Sequence, residues 1–407
     1  MAGVDPHPAR DGAPTSPLQG EEKARLAVTR VQLTNFRSYA SAELNVSGRP
    51  VVLAGPNGAG KTNVLDAISL LAPGRGLRGA RLSEHIRRGP TAPSQALWAV
   101  AATVSRGGES YEIGTGLAIG AGGAERRAVR LNGVAAGSSA DLGDIVQMAW
   151  LTPAMDRLFG EGAGGRRRFL DRLVIGFDPA HGRNAVRYET AMRERARLLK
   201  GGPRDPMWLD GLEQEMAQSG AAVAAARAET VARLNAMLAE RGEAGAFPCA
   251  QLAMEGETDV LVQQFGAQAD GRLRDLFARA RVGDAESGHT GFGPHRSDLA
   301  VRHTAKRADA RECSTGEQKA LLISIVLADA WELTRVRQGH APLLLLDEIA
   351  AHLDARRRAA LFEEILALGA QAWMTGTDHS LFEAMKGRAD VFGVDAGQFT
   401  MQGDAGR

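Results

Sequence analysis

Apolar and polar positions alternate over residues 26–33 (Leu-Ala-Val-Thr-Arg-Val-Gln-Leu). They run largely apolar over 43–54, and turn residues bound both stretches, which predicts two strands. Just beyond, Val64, Leu65, Ile68 and Leu71 share one helical face. Residues 97–104 and 109–119 read as a hairpin about Gly107-Gly108, and a further strand starts at Val129–Asn132. From about 155 to about 240 the period becomes helical. There Leu209, Leu212, Met216, Ser219, Val223 and Ala226 step by threes and fours, a heptad-like seam that is apolar except at Ser219. After a slip, Val231, Leu234 and Leu238 take over, which predicts one helix of about 35 residues, roughly 50 Å long. Residues 241–288 are mixed and glycine-rich. A second α/β pattern then runs to the end, with helices at 317–336 and 355–368 and strands at 342–346, 371–375 and 391–394.

The pattern describes an α/β unit divided in sequence by a helical insert. Its expected parts are a tail at 1–24, an N-terminal α/β part at 25–154, a helical lobe at 155–289 and a C-terminal α/β part at 290–407. The tail is rich in Pro, Gly and Ala and poor in large apolar residues, the composition of a disordered segment.

Composition changes this picture only locally. The 407 residues are 44% apolar and 24% charged, as in ordinary globular chains, and the formal charge is +1. No global basic excess announces a nucleic-acid partner. Arg outnumbers Lys 43 to 6, so a local arginine cluster carries less information than usual. Residues 157–204 still hold a net +7, and Arg75, Arg78, Arg81, Arg87 and Arg88 form another basic run. Each reads equally as a phosphate-binding surface or as a solvated face of an arginine-biased chain. Cys249 and Cys313, 64 positions apart, exclude a disulfide scaffold and a cysteine-rich zinc site. No apolar stretch approaches the roughly 18 residues of a membrane span, and the N-terminus lacks the basic-then-apolar order of a signal peptide. A cytoplasmic location without membrane contact is expected.

The chemistry lies in three segments. Gly55-Pro56-Asn57-Gly58-Ala59-Gly60-Lys61-Thr62 matches G-x-x-x-x-G-K-[ST], between an apolar strand and an amphipathic helix. Its glycines let backbone N–H groups wrap a phosphate, Lys61 supplies a cation, Thr62 offers a hydroxyl to Mg²⁺, and the helix N-terminus favours the anion. ATP with Mg²⁺ is the implied ligand. The apolar run Leu343–Leu346 ends in Asp347-Glu348, placing Asp347 to hold the Mg²⁺ shell and Glu348 to orient and deprotonate water. Ser314-Thr315-Gly316-Glu317-Gln318 opens a helix, and Ser314 with Glu317 spells a capping box. Lying upstream of Asp347, the same segment matches the S-x-G-x-Q signature of ABC ATPases, with Ser314, Gly316 and Gln318 in its fixed positions. In ABC folds that helix faces the γ-phosphate held by another subunit, so two copies complete two sites. Asp354 fits both a D-loop aspartate and a helix N-cap. Thr377 occupies the position where ABC proteins often carry a switch histidine, His379 falls two residues late, and Gln147 is near but unaligned with a Q-loop.

Several phrases resemble the RecF family. They are Asn35-Phe36-Arg37-Ser38-Tyr39, Asn63, Gly74-Arg75-Gly76-Leu77-Arg78, Thr152-Pro153, Arg167-Arg168-Phe169-Leu170-Asp171, Gly293-Pro294-His295-Arg296-Ser297-Asp298-Leu299 and Ser314–Leu322. Together they cover about 26–380 in the family's order. The chain departs from the family at Asp66, where Glu is usual, and at Ser297, where an acid is common. The resemblance implies an SMC-like ABC ATPase head split by a helical second lobe. It further implies that Arg37 and Asn63 join the nucleotide site and that the activity is a weak, DNA-stimulated ATPase. The implied role is in DNA replication and repair at single-stranded and gapped DNA, with ATP-dependent dimerisation and RecO- and RecR-type mediators. On the same reading Arg75, Arg78 and Arg81 are the DNA-contact candidates. A transporter ATPase subunit is disfavoured by the Phe36-Arg37 element, the long insert and Gly-Pro-His-Arg. An ATP-gated DNA clamp with negligible turnover stays open.

Overall fold

A computed structural model describes residues 25–89, 97–201, 206–242 and 246–402. The apolar stretch at 43–54 is two strands rather than one. β1 (Ala27–Phe36) folds back into β2 (Tyr39–Asn45), and the chain then breaks before β3 (Val51–Ala54). Gly48 at φ +89° and Pro50, which has no N–H, interrupt the ladder between them. The two strands consequently enter different sheets.

The first sheet is antiparallel, in the order β2-β1-β4-β5-β6-β7, with β4 (Ala99–Arg106), β5 (Glu109–Ile119), β6 (Glu125–Leu131) and β7 (Val134–Ala135). Gly107 and Gly108, at φ +59° and +87°, make the two-residue hairpin turn at the expected place. The second sheet joins both ends of the chain. Its order is β15-β14-β3-β13-β12-β8, with β8 (Met148–Leu151), β12 (Leu343–Leu346), β13 (Ala372–Gly376), β14 (Asp390–Asp395) and β15 (Gln398–Met401). All neighbours from β14 to β8 are parallel. β3 and β12 are buried along their whole length, as strands covered on both faces must be. Between the two sheets lies α1 (Lys61–Ser69), whose Val64, Leu65 and Ile68 share one core with Val31, Trp98, Leu345 and Trp373.

The helical lobe contains α2 (Ala163–Phe177), α3 (His181–Lys200), α4 (Pro206–Arg241), α5 (Glu257–Phe265) and α6 (Ala269–Ser287). The heptad-like seam of α4 packs within this lobe: Met216 and Ala217 share a core with Tyr188 and Ala191 of α3 and Leu273 and Phe277 of α6. Arg195, fully buried, ties the same helices through Glu213 (2.8 Å) and Asp284 (2.6 Å). Position 289/290 is not a boundary. β9 (Ala250–Glu255) pairs with β10 (Asp298–His303), which pairs with β11 (Ala308–Asp309), so one sheet spans the expected junction. Leu170, Leu234 and Leu252 also share a core with Leu321 and Ile325 of α7 (Thr315–Val336) and Phe362 of α8 (Ala355–Leu368).

Candidate functional site

β3 delivers the chain into the glycine-rich loop at the C-terminal edge of the parallel sheet. Gly55 donates its N–H to Gly376 O at the end of β13 (3.1 Å). A Cβ on Gly55 would lie 2.0 Å from the Val394 carbonyl of β14, so only glycine fits. Gly60, at φ +108°, is pressed against Tyr39, whose hydroxyl donates to Gly60 O (3.1 Å). The loop turns back over Lys61, whose ammonium donates to Gly55 O (2.8 Å) and Pro56 O (2.9 Å). Burial lowers the Lys61 pKa, while Glu348 and Asp347 counteract the shift. Asn57, Gly58, Gly60, Lys61, Thr62, Asn63, Arg78 and Glu348 line one open cleft of about 310 Å³. Ala59 is buried beneath the loop and its carbonyl accepts from Gly397 N–H (3.2 Å).

The acidic pair reaches the cleft from β12. Thr62 Oγ1 lies 2.8 Å from Asp347 Oδ1, bringing together two positions separated by 285 residues. Thr375 Oγ1, from β13, is 2.7 Å from the same oxygen and also accepts the Glu348 N–H (2.9 Å). Glu348 itself sits at φ +51°, a left-handed conformation that turns the chain sharply after the strand. A hydroxyl and one carboxylate at the glycine-rich loop fit Mg²⁺, which takes few protein ligands and completes its shell with water and phosphate. No three His, Cys, Asp or Glu side chains gather as a metal cluster among the described residues.

The remaining motif residues stand elsewhere. Ser314 caps α7 through Glu317, whose carboxylate receives the Ser314 N–H (3.1 Å) and hydroxyl (3.0 Å). Ion pairing with Lys306 and these bonds lower the Glu317 pKa to about 2. Ser314 and Gly316 are exposed and neither lines the cleft, while Gln318 bonds back to Cys313 O (2.9 Å). Asp354 is the N-cap of α8, accepting Arg357 N–H (2.8 Å). Thr377 is exposed, and His379 contacts Gln402 (3.1 Å). Gln147 precedes β8, whose other end meets Asp347 through Leu151 O, so it lies at the wrong end of the strand for the cleft.

Comparison with known proteins decides the family. The family described as RecF/RecN/SMC N terminal domain matches residues 27–400. The chain is 48% identical over 375 residues to the DNA replication and repair protein RecF of Mesorhizobium japonicum, covering 92% of this chain and 97% of that protein. This chain belongs to the RecF family. The RecF of Agrobacterium fabrum is 47% identical, covering 92% and 99% of the two chains. Among solved structures, one described as the recombination mediator protein RecF-ATPrS in the RecFOR pathway aligns with TM-score 0.81 at 21% identity, over 93% of this chain and 99% of that one. An Smc head domain from Pyrococcus furiosus aligns with TM-score 0.51 at 17% identity, over 93% and 96%. The fold is therefore the SMC-like ABC ATPase head with a helical second lobe.

Two arginines of this RecF-family chain depart from the sequence reading. Arg37, expected at the nucleotide, lies off the cleft wall. Its guanidinium is committed to Asp66 Oδ2 (2.8 Å) and Glu84 O (2.9 Å). Arg78, expected at DNA, lines the cleft instead and reaches Asn63 Oδ1 (3.3 Å). Asp66, fully buried, collects Arg37, Arg78 (3.8 Å) and His85 (3.5 Å), so its position after the glycine-rich loop anchors the 74–88 segment. Arg75 and Arg81 are exposed beside a separate concavity of about 520 Å³ that Arg127 also lines.

Part of the basic 157–204 segment is spent on internal structure, while Arg157, Arg168, Arg183, Arg193, Arg197 and Lys200 stay exposed. Arg166 pairs with Asp298 (2.7 Å), Arg167 donates to Ser297 O (2.6 Å), Arg187 pairs with Glu215, and Arg172 lies over the Trp150 ring. These bonds explain why two RecF-like phrases occur together. The Arg-Arg-x-Phe-Leu-Asp helix and the Gly-Pro-His-Arg loop bind each other. Asp171 holds His181 (2.8 Å) and Arg227 (2.7 Å), and Arg227 in turn donates to Pro294 O (2.7 Å). Burial raises the Asp171 pKa, but the bonds from His181 and Arg227 outweigh it and leave the carboxyl with a lowered pKa.

Proposed function

We propose that this chain binds ATP with Mg²⁺, closes into a head-to-tail homodimer on ATP, and in that state holds DNA during replication and repair at single-stranded gaps. The observation that carries the reading is the convergence of Lys61, Thr62 and Glu348 on one cleft, with Asp347 bonded to Thr62 behind it and Ser314 and Gly316 exposed outside it. Thr62 and Asp347 would hold the Mg²⁺, which when bound neutralises phosphate charge. Lys61 exchanges its two loop carbonyls for phosphate oxygens. Glu348 orients and deprotonates the attacking water. A second copy contributes Ser314, Gly316 and Gln318 to the γ-phosphate and Asp354 to the interface, giving two complete sites under two-fold symmetry. Asn63 supports the nucleotide beside Arg78. Slow turnover is favoured by Thr377, which offers no titratable group at the switch position.

The DNA role is supported by the names of relatives that match nearly end to end, DNA replication and repair protein RecF. Arg75 and Arg81 are the proposed phosphate contacts, and mediators of the RecO and RecR type the proposed partners, as in the pathway named for the solved RecF structure. No described helix is long and apolar enough to cross a membrane. Filter binding to gapped, single-stranded and duplex DNA with and without ATP tests the reading. ATP-stimulated retention of gapped DNA is expected, and retention that ignores ATP on every substrate contradicts it.

A further inference from the structure

We propose that Thr375 is a positioning residue for hydrolysis, its hydroxyl holding the Asp347 carboxylate and the Glu348 backbone in their working arrangement. The proposal rests on reading the cleft as an ATPase site. Thr375 is fully buried near the end of β13, behind the cleft and not among the residues that line it. Its hydroxyl has one proton, and its two bonds fix where that proton goes. The Glu348 N–H, 2.9 Å away, can only donate, so the Thr375 oxygen accepts there. The hydroxyl proton is then left for Asp347 Oδ1 at 2.7 Å. The chain of bonds from Glu348 N–H through Thr375 to Asp347 has one direction only.

Thr62 also meets Asp347 Oδ1, at 2.8 Å, but the two threonines are not equivalent. Thr62 lines the cleft and offers its lone pairs to an incoming cation. Thr375 has no access to the cleft, so its bonds persist whether or not nucleotide is bound. Its second contact restrains the unusual turn: Glu348 is a non-glycine residue at φ +51°, and the short helical turn Ile349–His352 begins there. Such a conformation persists when its surroundings over-determine it. The Glu348 N–H bond to Thr375 is the restraint, and it aims the carboxylate at the water.

Thr375→Val keeps the branched shape and removes both bonds, while Thr375→Ser keeps the hydroxyl. Hydrogen exchange on the intact chain, without nucleotide or metal, reads amides 344–350. ATP affinity in EDTA and steady-state turnover with Mg²⁺ complete the set. In Thr375→Val, exchange at Glu348 rises and kcat falls roughly ten- to a hundredfold, the effect of leaving buried hydrogen-bonding groups unpaired. KM and metal-free ATP affinity stay within about threefold. Thr375→Ser restores both exchange and kcat. Should the valine protein not fold, Thr375→Ala against Thr375→Ser answers by the same exchange measurement. Wild-type exchange in the valine or alanine protein, or a serine protein as impaired as the valine one, overturns the proposal. A chain whose Lys61→Ala variant binds ATP normally would instead overturn the nucleotide reading, and the nucleotide-free exchange result would still decide Thr375.

Discussion

Replacing Gly293 with Ala probes how the Gly-Pro-His-Arg loop fastens the helical lobe. Gly293 sits at φ +134°, and an added Cβ would lie 2.0 Å from the Tyr188 hydroxyl and 3.0 Å from His295 Nδ1. Tyr188 cannot simply withdraw. Its ring is buried among Ala191, Met216 and Phe277, and its hydroxyl bonds His295 Nδ1 at 2.7 Å. Backbone strain of about 1–3 kcal/mol adds to overpacking of about 1–3 kcal/mol, so a loss of about 3–5 kcal/mol is expected. Tyr188→Phe removes the oxygen that the methyl strikes and by itself costs about 1 kcal/mol for the lost hydrogen bond. In the double variant the two losses should therefore fall short of additivity by about 1–2 kcal/mol. Urea unfolding followed by circular dichroism measures all four corners of the cycle. A Gly293→Ala protein within about 0.5 kcal/mol of wild type, or strict additivity with Tyr188→Phe, would refute the claim that this contact is tight.

Lys61→Ala should weaken ATP binding roughly ten- to a hundredfold by removing a charge-assisted contact, measured by equilibrium titration; unchanged affinity would remove the phosphate-binding assignment. Burial pushes the Asp329 carboxyl up to about 8, Arg172 opposing the shift and Glu332 adding to it. The folded chain therefore keeps a proton that the unfolded chain releases. The stability from this group is full below the ordinary carboxylate range and is lost as pH rises toward 8. Asp329→Asn should thus gain in Tm relative to wild type between pH 5 and 8, and a pH-independent difference would contradict this assignment. Replacing Arg75 and Arg81 together with Gln should weaken DNA binding alike for all sequences and flatten its salt dependence by about two counterions; an unchanged slope would place the phosphate contacts elsewhere.

The glycine-rich loop between strand and helix and the acidic strand end were legible because local chemistry dictates them. Glycines at 55, 58 and 60 answer to backbone demands that neighbours in sequence reveal, and a buried leucine strand ending in two acids is conspicuous. Thr375 gave no such signal, since a β-branched residue in a strand is ordinary and its role depends on Asp347, 28 positions away. The positions of Arg37 and Arg78 were hidden for a related reason. Guanidinium reach is set by the buried Asp66 carboxylate, which periodicity does not locate. Charge counting across 157–204 treated arginines as surface although Arg166, Arg172 and Arg195 are consumed inside. The merged strand at 43–54 passed over the Gly48 and Pro50 punctuation, and the β9–β10 pairing joins segments about fifty residues apart that no local pattern connects. The long helix was foreseen at nearly its true length, but only packing shows that its seam faces α3 and α6 within the same chain.

Sedimentation velocity with ATP and Mg²⁺ tests the central claim most directly, because on the proposed reading a cleft without Ser314 and Gly316 is completed only by a second copy. Wild type at tens of micromolar, a range suited to weak specific association, should sediment as a dimer with ATP and as a monomer with ADP. Glu348→Gln should hold the dimer after ATP addition. Ser314→Arg, which sets a bulky cation at the α7 N-terminus, should remain monomeric while binding ATP normally. A Ser314→Arg protein that dimerises with ATP, or a wild type that stays monomeric, would contradict the account.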